Sequence, residues 1–350
     1  MHQFEKYEDL PTRGAHALEQ FSFDGSLFLA FANYNGDLNA YSTDSFIYKV
    51  NNSTNKFSLF QTIDTTGGRD FEYFTIADKH YLAIANRHSG STSQLNSHIY
   101  VWNGNQFVFL QNILTIGATS FTFFKILPQM FLAVTNTDST NSAIYHWKDN
   151  QFEKFQDLAT AKARASTAFV IHNNTFIVFA NYKSSQEGYS VKSPVFKWSG
   201  GSFVQFQSLQ TYGAFDVKSF KTNDERFIVF ANHYDGSSFN IDSFIYKWDG
   251  SKFVLFQSIP TRGARAWWPF VMCGQTFLGV ANNNEDGQGT NTQSTVYKAS
   301  EAQFVQYQEI STHGANDITT FEYKGHTYLA IANAINNGKR NINSVVYNWI

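Results

Sequence analysis

One cysteine, five prolines and a charged fraction of only 15% mark what this 350-residue chain has little of. The lone Cys273 excludes an intramolecular disulfide. It lies beside a predicted turn and is expected to be an inert apolar filler. Charges nearly cancel, to a formal net charge of −2, which argues against nucleic acid or an anionic membrane surface as a bulk electrostatic partner. No run approaches the roughly 18–20 apolar residues of a membrane-spanning helix, so membrane insertion is not expected. The opening residues, "MHQFEKYEDL", hold no apolar signal core. Either the protein is not exported by such a signal or a leader has been removed. Helical periodicity is missing. So are G-x-S-x-G, H-E-x-x-H and phosphate-loop patterns, and the His residues show no metal-ligand spacing. No enzyme is expected, and no cofactor is required.

What the chain has instead is 36 Phe, 18 Tyr and repetition. An apolar phrase ending in Asn recurs from "FLAFAN" at 28–33 to "YLAIAN" at 328–333. Its Asn residues, 33, 86, 136, 181, 232, 282 and 333, are spaced by 53, 50, 45, 51, 50 and 51. A second phrase of the type "SFIYKW" follows each, and a third of the type "FVQFQSL" follows that. A turn phrase precedes the next unit: "TRGAHA" at 12–17, "TRGARA" at 261–266, and five blurred copies. Each phrase is short, aromatic and β-branched, and bounded by Gly, Asn, Asp or Ser, which reads as strand. A fourth strand, anchored by Phe21 and its counterparts, lies between the turn phrase and the Asn phrase.

Four strands in about fifty residues, seven times over, indicate an all-β seven-bladed propeller of four-stranded antiparallel blades. The chain starts on the third phrase and ends on the second. The N-terminal strand, 4–10, is therefore expected to complete blade seven and close the ring, removing its open edges. The whole of 1–350 reads as a single propeller with blades near 16–63, 69–113, 119–158, 164–209, 215–259, 265–310 and 316–350. The loops between the Asn and the following Ser hold 11, 10, 5, 11, 10, 11 and 10 residues and vary freely. They emerge on the same side as the turn phrases, so one face is smooth and the other carries the variation. Binding residues usually sit on such loops.

The phrases "F..FQ.I.T.GA", "FLA.AN" and "S.IYKW" resemble the EAR or EPTP (epilepsy-associated) repeat family, and all seven units match it. The leucine-rich glioma-inactivated proteins belong to that family. The resemblance implies a non-enzymatic recognition module, usually extracellular, that binds protein partners. Three features depart from it: no leucine-rich or transmembrane companion, no disulfide pair, and a fourth unit whose turn phrase, "TAKA" at 160–163, has lost its Gly.

Seven of the eight arginines map to the variable face; Arg226 alone does not. Arginine offers a planar fork for carboxylate or sulfate. The alternative is that these arginines staple loops to acids such as Asp44 or Asp242. Loop tyrosines can stack on sugars or anchor a protein, or fold back over blade edges. The expected ligand-binding set is Arg13, His16, Arg69, Arg87, Arg164, Tyr182, Tyr212, Tyr234, Arg262, Arg265, His313 and Arg340. Asp70, Asp216 and Asp317 occupy the sixth position of the turn phrase, near the central shaft, with Glu19 and Glu72 two residues beyond two such positions. Converging carboxylates can hold Ca²⁺; equally, each Asp can cap backbone N–H groups. Trp268 is expected to plug the shaft or serve as a ligand platform. The loop "NNNEDGQGTNTQ" at 282–293 imitates a calcium loop but ends in Gln, so a polar turn is expected. The recurrent Asn and Ser are scaffold, tying the long loop to its own backbone.

Two functions compete. One is a lectin-like binder of acidic or sulfated glycans, favoured by the arginine bias and the solitary domain. The other is an extracellular protein-interaction module. Near-identical sites in every blade favour the first; one unique patch favours the second.

Overall fold

A computed structural model describes residues 2–37, 40–222 and 224–350. The described residues form seven four-stranded antiparallel sheets, each strand beside its neighbour in sequence. In the first, β2 (Ala15–Phe23), β3 (Ser26–Asn33), β4 (Ser42–Val50) and β5 (Phe57–Thr66) run from the shaft outward. The other sheets lie within 68–116, 118–159, 166–210, 214–262, 264–313 and 315–349. The last takes its fourth strand from the opposite end of the chain. There β1 (Phe4–Pro11) pairs antiparallel with β28 (Asn343–Trp349), with Phe4 opposite Trp349 and Pro11 opposite Asn343. The protein is a closed seven-bladed propeller, as the complementary termini predicted.

No blade has a core of its own. The buried side chains fall into seven clusters, and each is shared by two consecutive blades. Between the first and second blades, Phe21, Phe28 and Ile63 pack on Phe71, Leu82 and Phe107. This is the repeat-protein condition: one unit cannot bury its apolar face alone. Across the junction, Leu18, Leu29 and Phe31 meet Phe321, Tyr328 and Val346, so closure adds a seventh cluster equivalent to the other six.

Polar contacts reinforce these seams at three radii. On the outside, the Gln of the third phrase clamps the next blade. Gln207 accepts from the Phe253 N–H at 2.9 Å and donates to the Phe253 carbonyl at 2.8 Å. Gln61, Gln111, Gln156, Gln257 and Gln308 do the same to Phe107, Phe152, Phe203, Phe304 and Phe4. Glu8 occupies the seventh position, where its carboxylate only accepts, from the Phe57 N–H. A one-residue bulge in the outer strand precedes each clamp; in the first blade Leu59 and Gln61 face Tyr48 and Ile47, leaving Phe60 unpaired. Such a bulge re-aims side chains.

Under the loop face, the recurrent Asn, Ser and Thr form one network repeated in all seven blades. In the first, Asn33 accepts from the Arg13 N–H and donates to the Asp44 carbonyl, while its own N–H donates to Ser45. The Ser45 hydroxyl meets that of Thr65 at 2.8 Å. The Asn thus secures both its own long loop and the turn entering its blade. That turn bends through a left-handed residue, and at Gly263 (φ 55°) a Cβ would lie 2.7 Å from the Asn284 carbonyl oxygen. In the fourth unit Lys162 adopts the same conformation, φ 47°. Cys273 is exposed in the turn between Met272 and Gln275, not the apolar filler expected from its neighbours.

Replacing Gln207 by Ala removes two seam hydrogen bonds and leaves the Phe253 backbone unpaired. It is expected to lower unfolding free energy by about 1–3 kcal/mol. Denaturant titration checks this, and an unchanged midpoint contradicts it.

Candidate functional site

The inner strands surround a shaft whose geometry follows from a second bulge. In β2, Ala15 pairs with Asn33 and Ala17 with Ala32, so His16 is left over. The same shift occurs at Arg69, Thr119, Phe215, Arg265 and Asn316. Arg164 takes the equivalent place in the fourth blade, where its N–H bonds to the Ala180 carbonyl. The bulge turns the fifth residue of the turn phrase inward, alongside the sixth and eighth. The fifth-position arginines were expected in loops on the variable face; instead they line a 250 Å³ cavity with the sixth-position residues, which were expected near the shaft, and with Glu19, Glu72, Lys218 and Trp268.

The fifth-position layer at the loop-side mouth is cationic. The guanidiniums of Arg69, Arg164 and Arg265 stack over aromatic rings: Arg69 over Tyr34 at 3.9 Å, Arg164 over Tyr182 at 4.6 Å, and Arg265 over Phe215 at 4.6 Å. Arg69 and Arg265 each direct an Nη at the same atom, His16 Nε2. That nitrogen can accept only if His16 is neutral. Burial, then Arg69 and Arg265, hold its pKa well below the ordinary 6.5. Burial lowers Arg164 and Arg265 to about 10 and depresses Arg69 strongly. Among the described residues none of these three arginines has a carboxylate within 4.0 Å, and the Nε of each is out of solvent without a hydrogen-bond partner.

The aromatic residues around them form one connected floor. Tyr41 touches Tyr34, Tyr34 touches His16, and His16 stacks on Phe215. From Phe215 the contacts continue to Tyr182, Tyr189 and Tyr234. Blades one, two, four, five and six supply this patch; blade three presents Thr119 and blade seven Asn316. It is one asymmetric site, not seven copies.

Beneath it three of the sixth positions and two of the eighth are acidic, and these carboxylates bond across the seams. Asp70 accepts from Phe121 N–H, Asp216 from Trp267 N–H, and Asp317 from Leu18 N–H, at 2.8, 3.0 and 2.8 Å. Glu19 and Glu72 do likewise with Tyr73 and Phe123. Each caps the next blade's strand. No group of three acids, His or Cys with metal-holding geometry is present among the described residues, so the Ca²⁺ expected at Asp70, Asp216 and Asp317 gains no support from their geometry. Lys218 lies 3.9 Å from Asp216, which raises its pKa. Burial, then Glu72, raises Glu19 well above 4.5. Burial lifts Glu72 to about 7 and Asp317 to about 6.

Of the remaining candidates, Arg87 and Tyr234 border the floor and the others stay apart from the mouth. Arg13 reaches Asp44 at 3.7 Å, and Arg262 reaches Glu285 and Glu309 at 3.4 and 3.0 Å. Both are rim staples. Arg87 bridges the Tyr34 hydroxyl and Asp138 at the edge of the floor. The Arg340 N–H donates to Asp37, and His313 meets Asn291. Tyr212 packs edge-on to Phe244, and the Tyr234 hydroxyl donates to the Gly236 carbonyl. Trp268 forms wall, its indole N–H donating to Thr320 at 3.0 Å. In the calcium-like loop, Asp286 accepts from the Phe239 N–H of the neighbouring loop and Glu285 from the Thr292 hydroxyl; it is a polar turn.

Fold and mouth together define a seven-bladed propeller with an arginine–aromatic cluster at the loop-side end of its shaft. The sequence profile of the EPTP domain matches 3–49, 56–103, 106–148, 151–199, 202–249, 252–298 and 303–350. The chain belongs to the EPTP repeat family. It is 32% identical over 241 residues to the thrombospondin-type laminin G domain and EAR repeat-containing protein of Mus musculus, and 33% to that of Homo sapiens. Those stretches cover 68% of this chain but only 30% of each relative's length. Among solved structures, a periplasmic gluconolactonase of Pseudomonas aeruginosa is similar at TM-score 0.63 and 14% identity, covering 86% of each chain. The N-terminal domain of Nup159 is similar at TM-score 0.53 and 9% identity, covering 97% of this chain and 91% of its own. At such identities the likeness is one of fold.

The buried carboxylates give a pH signature. The folded protein keeps the Glu72 proton to higher pH than the unfolded chain does. Its stabilising contribution is complete below about 4.5 and disappears as pH rises through about 7. Glu72→Gln keeps the oxygen that accepts from Phe123 and removes the titration. Wild type is therefore expected to lose stability relative to this variant across that window, by roughly 1.4 kcal/mol per unit of pKa elevation. A pH-independent difference in denaturant midpoints contradicts it.

Proposed function

We propose that the chain is a non-enzymatic recognition module that docks an extracellular protein partner on its loop face, centred on the arginine–aromatic mouth. The observation that carries this reading is the singularity of the patch. Seven repeats supply seven equivalent positions, yet among the described residues one continuous floor forms, running from Tyr41 through His16 and Phe215 to Tyr234. Tyrosine and arginine clusters of this kind are typical anchors of protein interfaces. The relatives combine EAR repeats with a thrombospondin-type laminin G domain, which supports a role outside the cell.

Acidic or sulfated glycan binding is the second reading. The absence of carboxylate partners from Arg69, Arg164 and Arg265 among the described residues favours it, since guanidinium forks suit sulfate and carboxylate alike.

A panel of receptor ectodomains and a sulfated-glycan array, probed with the same protein, separates the two. One saturable 1:1 protein complex, weakened about tenfold or more by Tyr34→Ala with Tyr182→Ala, is the expected result. Glycan binding removed by heparin, with no protein complex, supports the second reading. Binding that survives the double substitution places the interface elsewhere and overturns both.

A further inference from the structure

We propose that the loop-side mouth of the shaft is an oxyanion site, in which Arg69, Arg164 and Arg265 seat a sulfate-like or carboxylate group between them. The inference rests on the reading of the loop face as the docking surface and names the chemistry its centre accepts.

Three observations carry it. The first is position: residues on blades two, four and six are turned into one opening by the bulge at the fifth position of the turn phrase or its equivalent. The second is charge. Three guanidiniums share that opening without an ion-pair partner among the described residues, although five carboxylates line the same cavity one layer deeper. Those carboxylates are occupied by neighbouring backbone N–H groups, so they do not swing up to neutralise the arginines. The third is unmet hydrogen-bonding capacity. Among the described residues the Nε atoms of all three are dry and without a partner, and two Nη groups approach the one lone pair on His16, that of Arg265 also donating to Asn316 at 2.8 Å.

Clustered cations are costly to keep dry and close together. The arginines at the rim show the ordinary solution, each beside a carboxylate: Arg13 with Asp44, Arg262 with Glu285 and Glu309. The mouth instead backs its cations with the rings of Tyr34, Tyr182 and Phe215. An oxyanion there accepts from guanidinium N–H groups and takes over from His16 as the shared acceptor. Its oxygens fit the guanidinium fork, two N–H groups to two oxygens. The deeper carboxylate layer repels the same anion, which fixes it at the mouth and leaves the rest of its carrier on the loop face.

Isothermal calorimetry with sodium sulfate, against sodium chloride at matched ionic strength, is the test. The expected result is saturable 1:1 binding to the wild type. Arg164→Gln with Arg265→Gln should weaken it about tenfold or more, whereas Arg13→Ala with Arg262→Ala leaves it unchanged. Because sulfate stabilises folded proteins generally, a shift in thermal midpoint counts only in excess of that seen with the rim variant. Should the Gln variant not fold, Arg164→Lys, which keeps charge but loses the fork, is expected to bind sulfate measurably more weakly than wild type. No saturable heat with wild type, or equal affinity in the mouth variant that folds, overturns the site. Sulfate also distinguishes the source of the anion. If a partner's acidic group fills the mouth, sulfate competes with the complex; if a free anion does, it leaves the complex unweakened. Partner binding that persists when wild type takes up no sulfate removes this inference and leaves the docking surface standing.

Discussion

Every blade of this protein depends on the next one for its hydrophobic burial. The seven apolar clusters all lie at seams, so the structure has as many cores as junctions. An open chain of six seams would leave two apolar faces, one on each terminal blade, and two strand edges in water. That single constraint accounts for the split last blade: the pairing of β1 with β28 completes a sheet and a seam at once. It also accounts for the placement of the polar staples. Glutamine clamps work at the outer radius, Asn–Ser–Thr networks under the loop face, and aspartate and glutamate caps along the shaft. Each directs a side chain across or into a junction that the hydrophobic contacts have already formed.

The same constraint frees the mouth. Because seams supply the stability, the fifth residue of the turn phrase contributes little to any core and varies from His to Arg, Thr, Phe and Asn. The bulge aims all of these at one point. A repeated frame with a varied inner ring turns sevenfold architecture into a single asymmetric site. The layering beneath follows from the next positions in the strand: acids whose oxygens accept neighbouring N–H groups, with Lys218 beside Asp216 among them.

Much of this was legible in the sequence, and the part that was not has a definite cause. Blade number, strand order and closure followed from phrase spacing and from termini that begin and end mid-unit. The Asn and Ser positions read correctly as scaffold because they recur without exception, although the Thr hydroxyl that completes their network went unnoticed. The glutamines recur in six units of seven, but their partner is the backbone of another blade, which phrase spacing does not show. Arginine placement was half right. Arg13 and Arg262 proved to be the acid-paired staples, while Arg69, Arg164 and Arg265, one bulge away from display at the rim, turn into the shaft. A bulge shifts side-chain direction by one residue, and spacing alone does not reveal it. Asp70, Asp216 and Asp317 were correctly placed near the axis, but their partners, N–H groups of the following blade, are set by packing.

The most direct test of the account is an anomalous-scattering map from crystals soaked in selenate, a tetrahedral oxyanion that marks its own position. One strong peak per protein is expected, at the loop-side mouth, within hydrogen-bond distance of Arg69, Arg164 and Arg265. Selenate confined to the rim, or absent from the mouth while His16 still bridges Arg69 and Arg265, would contradict it.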